Sequence, residues 1–113
     1  MKIEETNPPR HFYVGLEKSI QIADCGTIEL EVDEKVTFVA PSGTEFDVTR
    51  KDFGYYATPS LNARLPAHGL RPALIRNPCG KYYLLLIEKG RETFFENYLH
   101  DEAQAFIAWL DDD

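Results

Sequence analysis

The sequence predicts a mainly β fold, an antiparallel sandwich or barrel with a C-terminal helical segment. Three observations support this prediction. Apolar and polar residues alternate along much of the chain from residue 12 to residue 88, which is typical of strands with one buried face. Short turn motifs interrupt this alternation at intervals of about eight to twelve residues. After Gly90 the apolar spacing becomes that of a helix.

The first residues are polar and contain Pro8-Pro9, so residues 1–10 are expected to form an extended polar arm. Residues 11–113 are expected to form a single β-rich domain, since domains most often contain about 100–150 residues. Turn chemistry separates the predicted strands of its first half. The three predicted turns are residues 24–26, 33–35 and 41–43.

The second half of the predicted sheet is a hairpin of residues 70–76 and 81–88, which residues 77–80 close. Residues 82–87 are apolar on both faces, so they are expected to form a central strand that is covered on both sides. Residues 53–69 contain two glycines and two prolines, which limit continuous strand pairing, and this stretch is predicted to be irregular.

The C-terminal helical segment is predicted over residues 91–110. Phe95, Leu99, Phe106 and Leu110 lie on one stripe of such a helix. Asp101 is followed three residues later by glutamine, which resembles a capping box and indicates a break between two helices at that point.

Charge is distributed unevenly along the chain. Residues 1–49 carry four basic and ten acidic side chains (−6), residues 50–91 carry eight basic and two acidic ones (+6), and residues 92–113 carry seven acids and no base (−7). A basic island of this kind either binds an anion or is neutralised by its own acidic flanks. The total of −7 argues against general binding to nucleic acid, which depends on many phosphate contacts from lysine and arginine.

No membrane partner is expected, because the longest apolar run is far shorter than the ~20 residues that a membrane-spanning helix needs. The first ten residues lack the apolar core of a secretory signal, so the expected location is cytoplasmic.

No metal and no cofactor is predicted. Cys25 and Cys79 are 54 positions apart and lack the close pairing of zinc ligands, so they are expected to be reduced turn thiols. His11, His68 and His100 form no metal-binding motif. Neither a nucleophile elbow nor a phosphate-binding glycine loop is present, so catalysis is uncertain and a non-enzymatic role is favoured.

The irregular stretch and its basic neighbours are the candidate ligand-binding region. Flat aromatic rings, an amide and guanidinium groups are the side chains that recognise sugars and phosphates. The predicted binding residues are Tyr55, Tyr56, Asn62, Arg64 and Arg76, with His68 at the rim as a weak candidate for a catalytic base. In the alternative interpretation the tyrosines pack at sheet edges and the arginines pair with acids on neighbouring strands.

Residues 36–76 resemble the second half of a cupin jelly roll. The resemblance rests on a strand (residues 36–39), a turn and second strand (43–48), an Asp-x-Gly step within an aromatic strand that ends in proline (51–59), and a further segment at 62–65. It is closest to the nucleotide-sugar epimerases and ketoisomerases, which implies a jelly roll with a sugar-sized cleft and no required metal. The metal-ligand histidines of typical cupins have no counterpart here.

Three functional hypotheses follow. The first is a small binding module, without metal, for an anionic ligand such as a nucleotide-linked sugar. The second is a non-catalytic interaction or accessory subunit. The third is a metal-independent sugar isomerase or epimerase that uses His68 with a tyrosine as acid and base. The doubly apolar strand of residues 82–87 and the aromatic helix favour a homodimer.

Overall fold

A computed structural model describes residues 1–112 of the chain. Of this part, 52% is strand and 12% is helix, which confirms the mainly β class. Its elements are, in order, β1 (Lys2–Val14), β2 (Ile20–Glu29), β3 (Lys35–Val39), β4 (Glu45–Lys51), β5 (Gly54–Ala57), α1 (Arg64–Ala67), β6 (Leu70–Arg76), β7 (Tyr82–Glu88), α2 (Glu92–Asp101) and β8 (Ala105–Trp109).

The strands form three small sheets, and every paired neighbour is antiparallel. β1 pairs with β2 alone, β3–β4–β5 form a second sheet, and β7–β6–β8 form a third. The antiparallel β class is therefore observed, and the described residues arrange it as one two-stranded and two three-stranded sheets.

The core lies between the third sheet and α2. Ala73, Ile75 and Ile87 are buried on one face of this sheet and pack against Phe95 of the helix. Trp109 of β8 completes an aromatic cluster, its ring centroid 5.7 Å from that of Phe95. These residues point the same way because strand side chains alternate between faces, and β6 and β7 are in register from residue 70 to residue 76.

The second sheet is linked to the third by polar contacts at the end of β7. The hydroxyls of Ser42 and Thr44 donate to one Glu88 oxygen at 2.6 and 2.8 Å, and they lower the pKa of this carboxyl group. Leu65 of α1 is completely buried, and α1 contacts β6. The turn at residues 41–43 joins β3 to β4, and the turn at residues 77–80 joins β6 to β7, as predicted.

The N-terminal residues form one strand of a long hairpin. Residues 1–10 are predicted to be an extended polar arm; Lys2–Val14 is the extended strand β1, and it pairs with β2. The tripeptide predicted as a turn at residues 24–26 lies inside β2, opposite a shift in register between Glu5 and Arg10. Gly26 has a φ of +147° there, and a Cβ at that position would collide with the backbone of Glu4.

The helix near the C-terminus, α2, is shorter than the helical segment predicted over residues 91–110. α2 ends at Asp101, and Ala103 adopts a left-handed φ of +52° that terminates it. Residues 105–109 then form β8, because this short apolar run is rich in aromatic and branched side chains, which favour strands. β8 pairs with the edge of β6 that β7 leaves open. β6 is consequently the central strand and β7 an edge strand, the reverse of the prediction for residues 82–87.

Across residues 1–112, no helix has the length and apolar character required to cross a bilayer.

Candidate functional site

The two tyrosines predicted to bind ligand lie on β5, and both are exposed. They are consecutive in a strand, so their rings point to opposite faces of the sheet. The ring of Tyr55 has the guanidinium of Arg50 5.8 Å from its centroid. Tyr56 lies opposite Thr49 in the antiparallel register. One pocket can therefore receive only one of the two rings directly.

Arg64 and His68 lie at the two ends of the short helix α1, and each faces an acid on β4. Arg64 Nη2 donates to Asp47 Oδ2 at 3.1 Å, and Asp47 is buried. His68 Nδ1 is 3.7 Å from Glu45 Oε2. Asn62 precedes α1 in the loop that follows β5. These contacts tie α1 to the second sheet.

Arg76 belongs to a different part of the molecule. It ends β6 in the third sheet, and its guanidinium carbon lies 5.5 Å from the centroid of the Tyr82 ring. None of the six predicted site residues contributes to the wall of the cavity described below.

Three members of the basic island pair with acids from the acidic flanks. Arg71 Nε donates to Asp111 Oδ2 at 2.8 Å, Arg64 pairs with Asp47, and Lys51 pairs with Asp33. These contacts agree with neutralisation of the island by its own flanks, the alternative interpretation of the charge pattern.

A cavity of about 510 Å³ lies at the junction of the first hairpin and the third sheet. Its apolar walls come from the turn end of the hairpin and from β6 and β7, and its aromatic walls from Tyr83 and Tyr98. The turn that joins β6 to β7 closes one side. This volume falls in the range of about 300–1,000 Å³ that is usual for small-molecule sites.

Two polar side chains from the end of α2 lie in this wall. Glu102 is only 7% exposed, and its Oε1 accepts the backbone N–H of Leu16 at 2.6 Å. Gln104 Nε2 makes a long contact of 3.4 Å to the backbone oxygen of Glu102. Gln104 Oε1 is buried and has no hydrogen-bond partner. An unpaired buried acceptor is rare in native proteins and calls for an explanation.

The local backbone explains why these two side chains meet the cavity. The left-handed Ala103 turns the chain after α2, and the N–H of Gln104 bonds to the carbonyl of Leu99 at 2.8 Å. On the other side, Gly15 has a φ of +96°, and a Cβ there would overlap Glu102 Oε1. Only glycine lets the hairpin approach the carboxylate this closely.

Sequence reasoning missed this site. Its residues come from distant segments: Leu16 and Glu102, which form a hydrogen bond, are 86 positions apart. The one local signal was the spacing of Asp101 and Gln104, which resembled a capping box. In the structure Gln104 follows the helix instead of starting one.

Three polar residues, Asn77, Glu102 and Gln104, line the cavity together with apolar side chains and tyrosine rings, and no lysine or arginine lines it. Such a wall offers acceptors and an apolar surface, and it provides no cation for an anionic group. Within residues 1–112, no three or more histidine, cysteine, aspartate or glutamate side chains cluster in a way that could hold a metal ion.

Comparisons with protein-family models, with curated proteins and with solved structures find no match to this chain.

Proposed function

We propose that this protein is a binding module for a small, neutral or cationic molecule with an apolar body and at least one N–H or O–H donor. The observation that carries the proposal is Gln104, which lines the cavity and whose Oε1 is buried without a hydrogen-bond partner. Leaving a buried acceptor unpaired costs about 1–3 kcal/mol, so a ligand donor that reaches this oxygen gains a favourable contact.

The rest of the wall favours the same ligand class. Glu102 places a carboxylate among the apolar side chains, which favours a positive charge and disfavours a negative one. Tyr83 and Tyr98 offer flat apolar rings with polar ends, the usual surface for an aromatic ligand.

The hypotheses drawn from the sequence are alternatives to this proposal. An anionic ligand, such as a nucleotide-linked sugar, would bind near Tyr55 and Arg64. The guanidinium of Arg64 already donates a hydrogen bond to Asp47, with which such a ligand would compete. A cupin-like relationship would support that ligand class. An isomerase mechanism would need His68 within hydrogen-bond reach of a tyrosine, whereas its contact in the structure is to Glu45.

A thermal-shift screen with two sets of compounds separates these ligand classes. The first set contains aromatic amines and amides, such as phenethylamine and benzamide. The second contains nucleotide-sugars and sugar phosphates. A ligand present at a hundred times its dissociation constant stabilises the native state by about 2.7 kcal/mol, which raises the melting temperature measurably.

Three variants assign the site. Gln104→Leu keeps the volume of the side chain and removes the acceptor. Gln21→Leu is the matched control, because Gln21 is exposed on β2 and lies outside the cavity wall. Arg64→Ala tests the anion site.

A shift with an amine or amide that persists in Gln21→Leu and disappears in Gln104→Leu supports the proposal. A shift with a nucleotide-sugar that disappears only in Arg64→Ala would replace it with the anionic-ligand hypothesis. If neither set shifts the melting temperature, the accessory-subunit hypothesis becomes the better one.

A further inference from the structure

The hairpin of β1 and β2 has one apolar face. Directly opposed residues lie on the same face of an antiparallel pair, and the register places Ile3 opposite Ile28 and Phe12 opposite Ile22. The other face carries mainly polar residues, among them Gln21 opposite Tyr13. Such alternation of apolar and polar residues is typical of an antiparallel sheet that has one face buried and one face in water.

Most of that face is nevertheless uncovered. The four side chains that form the outer part of the stripe are between 39% and 58% exposed: Ile3, Phe12, Ile22 and Ile28. Neither strand shares a sheet with any other strand of the described chain. A two-stranded hairpin is at best marginally stable in water without something packed on its apolar face.

We propose that a second copy of this chain covers the apolar face of the hairpin and forms a homodimer with it. The chain has an accessible surface of 8035 Å² at a mass of 12.9 kDa. A folded monomer of this mass exposes about 6,300 Å², so about 1,700 Å² is in excess. A stable interface of standard size buries about 800 Å² on each partner, and the excess is ample for it.

The overall dimensions lead to the same conclusion. The radius of gyration is 15.6 Å, whereas a compact domain of this length has one of about 13 Å. A chain that is both open and rich in exposed apolar side chains resembles one subunit of an assembly more than a complete monomer.

The pattern of charge along the face identifies the partner as a second copy. Arg10 pairs with Asp24 at 3.2 Å in the middle of the stripe, beside Glu5, and the apolar pairs lie at either end. A two-fold axis through this centre packs the apolar pair Ile3/Ile28 of one copy against the pair Phe12/Ile22 of the other copy. It also brings each arginine to the acids of its partner. A surface that matches itself in this way is what a two-fold interface requires.

Sedimentation equilibrium of the full chain and of two single variants tests the proposal. The wild-type protein is expected at twice the chain mass of 12.9 kDa. Phe12→Asp places a charge on the apolar face and is expected to raise the dimer dissociation constant on the order of 100-fold or more, because this charge would be desolvated. Tyr13→Asp introduces the same charge on the opposite face and is expected to leave the mass unchanged.

Hydrogen exchange of the wild-type protein supplies a test that needs no variant. The amides of β1 and β2 are expected to exchange more slowly at high protein concentration than at low concentration, with no such change in β6. A wild-type protein that is monomeric at every concentration overturns the proposal. Loss of the dimer in Tyr13→Asp as well as in Phe12→Asp overturns the assignment to this face, and circular dichroism confirms that both variants are folded.

Discussion

The contact between the hairpin and the end of α2 gives the sharpest stability prediction. Gly15 has a φ of +96°, and its missing Cβ leaves room for Glu102 Oε1. In Gly15→Ala the new methyl group displaces a carboxylate that is only 7% exposed and breaks its 2.6 Å bond to the Leu16 N–H.

Gly90→Ala is the matched control, because Gly90 has a φ of +89° and no atom within 4 Å of its hypothetical Cβ. Both variants carry the left-handed strain of an alanine, about 1–2 kcal/mol, and both gain about 0.4–1 kcal/mol through the unfolded chain. Gly15→Ala additionally loses a hydrogen bond to a charged group, about 1.5–3 kcal/mol. Its free energy of unfolding is therefore expected to be lower than that of Gly90→Ala by about 2 kcal/mol.

Equilibrium unfolding in urea measures this difference, with the fluorescence of Trp109 as the signal. Trp109 is the single tryptophan and lies in the aromatic cluster of the core. With a slope of about 1–3 kcal/mol/M, the midpoint of Gly15→Ala should lie on the order of 1 M below that of Gly90→Ala. In a Glu102→Ala background the extra loss should disappear. Equal midpoints for the two glycine variants would show that Glu102 is not held in place by this contact.

Three further predictions concern the core, the cavity and one ion pair. Leu65→Ala removes a completely buried side chain and should lower the free energy of unfolding in urea by about 2–5 kcal/mol; a change below 1 kcal/mol would contradict the packing of α1. Gln104→Leu should raise the melting temperature of the ligand-free protein, because it removes an unpaired buried acceptor; a decrease would mean that Oε1 has a partner. The hydrogen bond from Arg71 lowers the pKa of Asp111, so this ionised carboxylate stabilises the fold above its unfolded pKa and ceases to do so as the pH falls through its folded pKa. Asp111→Asn should therefore lose less stability than wild type between about pH 5 and pH 2, and parallel pH profiles would refute this assignment.

Local patterns predicted the elements whose partners are close in sequence. The hairpin of β6 and β7 and the turn between β3 and β4 lie where alternation and turn chemistry placed them. Both depend on residues within a few positions of one another, so the chain itself specifies them.

Elements whose identity depends on distant partners were not predictable in this way. Residues 105–109 continue a helical stripe in sequence, yet they form β8 because the edge of β6 accepts a strand. Tertiary pairing overrides local propensity in such short apolar runs. The tripeptide at residues 24–26 has turn chemistry, but the pairing of β1 with β2 carries it through as a bulged part of the strand.

The candidate site was hidden for the same reason. Glu102 acquires its role only when Gly15 and Leu16 pack against it from the other end of the chain, and Gln104 lines the same cavity. The predicted residues, in contrast, were grouped by proximity in sequence. The structure distributes them over two sheets, with Arg64 paired to Asp47 and Arg76 beside Tyr82.

The cavity and the proposed dimer share one element, and this has a thermodynamic consequence. The turn end of the hairpin, with Leu16 and Ile20, forms part of the cavity wall, while the strand residues beyond it carry the apolar face proposed to bind a second copy. Covering that face would fix the hairpin and with it the wall, so a ligand would bind the dimer more tightly than the monomer. Coupling between two binding equilibria is reciprocal, and the same ligand must strengthen the dimer by the same factor. We therefore expect a cavity ligand to lower the dimer dissociation constant in sedimentation equilibrium, and the Phe12→Asp monomer to bind that ligand more weakly. Equal ligand affinity in monomer and dimer would show that the cavity wall is already rigid in a single chain.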